Sequence, residues 1–276
     1  MSQHTISNPI IVGGVGGSGT RLTVDLLKNM NIFMGNDLNL SNDNMQIAYS
    51  FPTFRDFIQG KNTPPKTPIS QYWDRIKPNF LKRYQDKKIH DETKRIIFEK
   101  LSPFEKIMRH DFAQQPYNGW GWKIPGNFLI LEYLVEYFDD LKYIHTIRHG
   151  LDMAYSNNQN QLHNWGNFFC VDIQNLPLPK ASLQYWIRAN KKTIATGNSL
   201  LKERFFLLNF DTLCQHPTQE IQSLANFLGL PNHEVTTLSK IVKIPDSLGR
   251  HKKHDLSIFD KEELEEVRKL GFQINT

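Results

Sequence analysis

The sequence predicts an α/β fold with a central, mostly parallel sheet flanked by helices, on three observations. The β-branched run Ile10-Ile11-Val12 leads straight into the glycine-rich stretch Gly13-Gly14-Val15-Gly16-Gly17-Ser18-Gly19 and then into a helical pattern. Two further short apolar runs, at 141–148 and 205–210, are separated by helical patterns rather than by hairpin turns. The 276 residues, 39% hydrophobic and 22% charged, are enough to bury a sizeable core. With no repeat, low-complexity run or linker to divide them, a single domain over 1–276 is the economical organisation.

Residues 8–14 are expected as the first strand and 18–30 as the helix after it, with Leu22, Leu26 and Leu27 on one face. The stretch 31–70 is rich in Asn, Asp, Ser, Thr and Pro, and Pro64, Pro65 and Pro68 break it further, so it reads as loop with short helical pieces. Residues 71–112 read as two helices joined near 88–91. A short strand at 120–125 ends at Pro125, and 127–137 follows as an amphipathic helix with Leu129, Leu131, Leu134 and Val135 inward. The second buried strand is 141–148; Asp152 then stands in the first turn of a helix, where a carboxylate favours the dipole. Segment 157–179 reads as loop, and helices at 181–201, 217–228 and 260–270 complete the chain, with a strand at 205–210 between the first two.

Lys plus Arg number 33 and Asp plus Glu 28, a net charge of +5. The excess is local: residues 61–110 hold 13 basic and 6 acidic side chains. Such a stretch steers anions, and solvated lysine-rich helix faces account for it equally well. No basic repeat is interleaved with aromatics and no zinc-finger spacing occurs, so nucleic acid is not an expected partner. The longest apolar run, 128–138, is interrupted by Glu132 and Glu136, so no transmembrane segment is expected. No secretory signal is read at the start. Cys170 and Cys214 stand far apart without a CxxC or Cys/His spacing, which argues against disulfides and structural zinc. Both are expected as buried thiols of a cytoplasmic protein.

A glycine loop between strand and helix lets backbone N–H groups and the helix dipole cradle a phosphate. The template GxxxxGK[ST] can be laid on residues 14–19, but Thr20 then takes the lysine position and Arg21 that of the magnesium-binding hydroxyl. The loop therefore suits an anion held without magnesium. Gly14, Gly16 and Gly19 also supply GxGxxG, yet the acidic residue expected about twenty positions on would be Asp37, inside a polar loop rather than at a strand end.

Ser18-Gly19-Thr20 after a first strand resembles the 5′-phosphosulfate loop of sulfotransferases that use 3′-phosphoadenosine 5′-phosphosulfate (PAPS). The run from Tyr143 through Arg148, Asp152 and Ser156 is similar to that family's second signature, in which the arginine and the serine hold the 3′-phosphate. Arg148 closes a strand with a planar fork while Ser156 follows eight positions on, so two donors can converge on one phosphate. Trp120-Gly121-Trp122-Lys123-Ile124-Pro125 looks like the family strand that places a lysine near a proline. Phe210-Asp211-Thr212-Leu213 with Pro217 and Phe227-Leu228-Gly229 resembles the YEDL…P…FLG segment, and Ser247-Leu248-Gly249-Arg250 the glycine–arginine element of bacterial members.

The resemblance implies a P-loop-like architecture and transfer of a sulfuryl group from PAPS to a hydroxyl of a carbohydrate, lipid or small metabolite, with no metal. It assigns the donor nucleotide to Gly16, Gly17, Ser18, Gly19, Thr20, Arg21, Arg148, Ser156 and Arg250. Sulfuryl transfer asks the protein mainly for positioning and charge stabilisation, and Lys123 with Arg21 are the expected catalytic cations. The lysine or arginine many members carry just before SGT is Gly17 here. For the general base, the nearest acids after the first helix are Asp37 and Asp43, of which Asp37 is taken. Two alternatives stay open: a degenerate P-loop kinase, and a nucleotide-binding protein that has lost catalysis. Phe51, Phe54, Trp165, Phe168 and Phe169 are the aromatic residues of the two loop segments that offer acceptor contacts.

Overall fold

Five strands form one parallel sheet in the computed structural model, which describes residues 6–50, 87–230 and 234–274. They are β1 (Ile6–Gly14), β2 (Ile32–Phe33), β3 (Gly119–Lys123), β4 (Lys142–Ile147) and β5 (Phe205–Asn209), in the spatial order β2-β3-β1-β4-β5. The register sets Val12 beside Lys123, Gly14 beside Thr146 and Ile147 beside Asn209. Every strand therefore finishes at the same edge, which is where open α/β sheets bind ligands.

The described helices are α1 (Thr20–Asn29), α2 (Met45–Ser50), α3 (Lys87–Phe112), α4 (Leu131–Tyr137), α5 (Gly150–Ala154), α6 (Asn160–Trp165), α7 (Leu178–Leu200), α8 (Phe210–Gln215), α9 (Pro217–Leu228), α10 (Val235–Ser239) and α11 (Lys261–Lys269). They cover both faces of the sheet, and the period of two along β1 divides the core between them. Ile10 and Val12 join Val24 and Leu27 of α1, Leu213 of α8 and Ile221 and Leu224 of α9. Ile11 belongs to the opposite cluster with Phe104 of α3, Leu134 of α4 and Trp186 of α7. Each such buried side chain contributes about 1.5–3 kcal/mol of transfer free energy.

Several expectations need correction. The described part of the 71–112 stretch is one 26-residue helix, Lys87–Phe112, that begins at the expected junction and keeps Pro103 inside it. The burial of Leu101, Phe104 and Met108 offsets the backbone bond that Pro103 cannot donate. Residues 51–86, with Phe51, Phe54 and the first part of the expected 71–112 helical stretch, lie outside the described residues. The polar stretch after α1 holds the edge strand β2, too short to show a period, and 157–179 holds α6 and the 3₁₀ segment Gly166–Phe169. Residues 127–130 belong to a 3₁₀ turn, Pro125–Ile130, with α4 beginning only at Leu131.

The last strand stops at Asn209, whose Oδ1 accepts from the N–H groups of Asp211 and Thr212 at 3.0 and 3.2 Å. This cap makes Phe210 the first residue of α8 instead of the end of a strand. Cys214 is buried, but Cys170 is exposed, because it sits at a left-handed turn (φ 55°) that ends the 3₁₀ segment. No described helix is long and apolar enough to cross a membrane.

Candidate functional site

The glycine loop passes from β1 to α1 at the carboxyl edge of the sheet. Gly17 and Gly19 take φ of 85° and 95°, the left-handed region that a side chain disfavours. Gly19 is also the residue before the first turn of α1, and a Cβ on it would stand 2.0 Å from the Phe210 ring. The first turn of α1 carries no acidic residue, so the N–H groups of Thr20 and Arg21 and the positive end of the dipole remain uncompensated by a side chain of that turn. Ser18 differs from its neighbours: its N–H donates to the Val15 carbonyl at 3.0 Å and its Oγ is turned inward against Gly14.

Opposite the loop, Lys123 ends β3 and is 2% exposed. Its Nζ donates to Asp43 Oδ1 at 2.5 Å and to the Ser41 carbonyl at 3.0 Å. Burial lowers the pKa of Lys123 against the pull of the Asp43 charge and hydrogen bond, and the Arg21 charge lowers it further. Asp43 is 5% exposed and fixed by its own loop. The Asn39 side chain accepts from the N–H groups of Ser41 and Asp43 and donates to Asp43 Oδ2 at 3.0 Å. Asn42, at φ 59°, donates to Asp25 Oδ1 at 2.8 Å and so ties the same loop to α1.

A third group of residues forms where β4 ends. Arg148, 6% exposed, donates through Nη2 to the Ser247 carbonyl at 2.6 Å and to Ser247 Oγ at 3.0 Å, and its guanidinium lies 5.2 Å from the Phe210 ring centre. Arg250 reaches the same Ser247 carbonyl at 3.4 Å. Asp152 joins the two elements: Oδ1 accepts from the backbone and Nδ1 of His251, and Oδ2 accepts from the Gly249 N–H at 2.6 Å. Burial alone would raise the Asp152 pKa, but these hydrogen bonds outweigh it and hold it at about 2. His149 accepts from the Leu151 N–H through Nδ1 and donates through Nε2 to the Gln273 carbonyl; burial lowers its pKa to about 4.

Between the loop and the Lys123–Asp43 pair lies a cavity of about 350 Å³. Gly16, Gly17, Gly19, Thr20 and Arg21 line one side, and Ser41, Asp43 and Lys123 another. Met153, Gln161, Tyr185 and Trp186 close it from α5, α6 and α7. Among the described residues, no group of three or more His, Cys, Asp or Glu is placed to hold a metal.

A family profile described as the sulfotransferase family matches residues 9–234. The chain belongs to the sulfotransferase family. Two solved structures share its fold: the sulfotransferase domain of the olefin synthase of Synechococcus PCC 7002, and the sulfotransferase domain from the curacin biosynthetic pathway. The first is 12% identical, covering 99% of this chain and 97% of that one, with a TM-score of 0.57. The second is 16% identical, covering 98% and 100%, also at 0.57. No curated protein matches the chain.

The sulfotransferase thus gathers some expected site residues and leaves others apart. Gly16, Gly17, Gly19, Thr20, Arg21 and Lys123 meet at the cavity, whereas Ser18 is behind the loop. Arg148 and Arg250 meet each other near Ser247 but do not line the cavity; the Phe210 ring, packed on Gly19 and under Arg148, connects the two places. Ser156 lies past the end of the five-residue α5, not in the first turns of a continuing helix, and its Oγ accepts from the Asn158 N–H at 3.2 Å. Asp37 is exposed and is not a cavity residue, so the acid facing Lys123 is Asp43. Trp165 and Phe169 are buried against Phe128 in the core rather than offered to an acceptor. Gln161 and Trp186 escaped the sequence reading because nothing local marks a glutamine or a core tryptophan as facing a site.

Proposed function

We propose that this sulfotransferase transfers a sulfuryl group from PAPS to a hydroxyl of a small-molecule, carbohydrate or lipid acceptor. The observation that carries the donor assignment is the convergence of Arg148 and Arg250 on the Ser247 carbonyl, at the same sheet edge as the glycine loop, where a single carboxylate, Asp152 at 3.6 Å from Arg148, faces two guanidinium groups. Arg148 Nε is buried without a hydrogen-bond partner among the described residues, so the cluster keeps donor capacity for a further anion. Two cationic places joined through Phe210 fit a nucleotide phosphorylated at both ends.

Bound PAPS supplies a sulfuryl group whose bond to the 5′-phosphate oxygen breaks as the bond to the acceptor oxygen forms. The N–H groups leading α1, the Thr20 hydroxyl and Arg21 hold the 5′-phosphate, and Arg148, Arg250 and Ser156 hold the 3′-phosphate. Lys123 stabilises the negative charge that grows on the leaving phosphate oxygen, the part that the loop lysine plays in many relatives. At position 17 that lysine would be strained by φ 85°, so Lys123 reaches the cavity from the neighbouring strand instead. Asp43 takes the proton of the acceptor hydroxyl, in place of the exposed Asp37.

The test is release of adenosine 3′,5′-bisphosphate from PAPS in the presence of a panel of hydroxyl compounds, with no divalent cation added. Acceptor-dependent release supports the proposal. Turnover of magnesium–ATP in its place establishes the kinase reading, and tight bisphosphate binding with no transfer to any acceptor establishes the non-catalytic one.

A further inference from the structure

The structure assigns a donor role to Gln161: we infer that its Nε2 hydrogen-bonds the sulfuryl group being transferred, an inference that rests on the PAPS reading above. Gln161 is on α6, lines the cavity and is 6% exposed. Its Oε1 accepts from the Tyr185 hydroxyl at 3.2 Å, while its Nε2 is buried with no hydrogen-bond partner among the described residues. Tyr185 thus engages the carbonyl end of the amide and leaves Nε2 for a ligand. The side chain rests on the glycine loop: a Cβ on Gly16 would stand 3.0 Å from Cδ and 3.1 Å from both Cγ and Nε2.

Placement selects the ligand group. Gly16 lies on the strand side of the loop, three residues before the Gly19 that opens α1. Gly16, Thr20 at the start of α1 and Gln161 line one cavity, so on this reading the group attached to a 5′-phosphate held by α1 is within reach of Gln161. A neutral amide N–H suits the sulfuryl oxygens, which share one negative charge, while the cation of Lys123 belongs to the other wall of the cavity. A buried N–H with no partner in the protein is costly unless a ligand meets it. Gly16 and Gln161 thus form a matched pair, the glycine leaving room for the amide.

The experiment compares affinities for PAPS and for adenosine 3′,5′-bisphosphate, which lacks the sulfuryl group, in the wild-type protein and in Gln161→Leu and Tyr185→Phe. The expected result is that Gln161→Leu weakens PAPS binding about tenfold while bisphosphate binding changes less than twofold. Tyr185→Phe, which leaves the amide in place but unlocks it, shifts the same ratio in the same direction by a smaller factor. Equal weakening of both ligands, or no change in either, overturns the assignment. If Gln161→Leu does not fold, the ratio in Tyr185→Phe decides. Failure of the wild-type protein to bind the bisphosphate at all overturns the PAPS reading instead, and is distinguishable because no variant enters that result.

Discussion

Lys123 and Asp43, 80 positions apart in sequence, form an ion pair at 2.5 Å in which both side chains are almost fully buried. Removing one member of such a pair leaves an uncompensated charge, at a cost of about 3–5 kcal/mol. Lys123→Ala is therefore expected to lower thermal stability sharply, and adding Asp43→Asn to recover part of the loss. In the same variant, turnover is expected to fall by a factor of about 10²–10³, with bisphosphate affinity changing far less. Calorimetric melting and steady-state kinetics on the single and double variants check both; equal losses in turnover and affinity would recast Lys123 as a binding residue.

Arg148→Ala removes the guanidinium that lies over Phe210 and its 3.6 Å ion pair with Asp152, but leaves Asp152 its bonds to His251 and Gly249. Affinity for adenosine 3′,5′-bisphosphate is expected to weaken by about 1.5–3 kcal/mol, the range for a charged hydrogen bond, with affinity for adenosine 5′-monophosphate unaltered. A titration in which both nucleotides weaken together would remove the 3′-phosphate assignment.

Gly19→Ala sends a methyl into the Phe210 ring at a position whose φ is 95°. The strain and the overpacking together are expected to cost about 2–4 kcal/mol and to weaken nucleotide binding. Phe210→Leu in the same chain relieves the clash but not the strain, so melting temperature should recover only in part.

Acid should destabilise the protein through two histidines. Burial holds His145 and His149 near pKa 4, below the 6.5 of a free histidine, so between those values the unfolded chain takes up protons that the folded one excludes. Stability is then fully present above pH 6.5 and is lost as the pH falls toward 4, by up to about 3 kcal/mol for each group. Asp152 adds a separate loss between pH 3.8 and about 2. Melting temperature against pH measures the slope, and His145→Gln, which keeps a partner for Asn190, should flatten it.

The parts of the fold legible in the sequence were those set by local chemistry. The β-branched run before the glycines, the positive-φ glycines themselves and the leucines of α1 each answer to their own neighbours. What stayed hidden depends on distant contacts. The two-residue β2 exists because it pairs with β3, and Asp43 outranks the equally plausible Asp37 only because a strand 80 residues away brings Lys123 to it. Phe210 looks like a strand residue until Asn209 caps the helix that starts there. Gln161 becomes notable only against Gly16 and Tyr185, neither of which its sequence neighbourhood announces.

The most direct test of the central claim is a calorimetric titration of the purified protein with adenosine 3′,5′-bisphosphate, set against ATP with and without magnesium. The arrangement of Arg148, Arg250 and the glycine loop calls for tight, metal-independent binding of the bisphosphate. A preference for magnesium–ATP would contradict it.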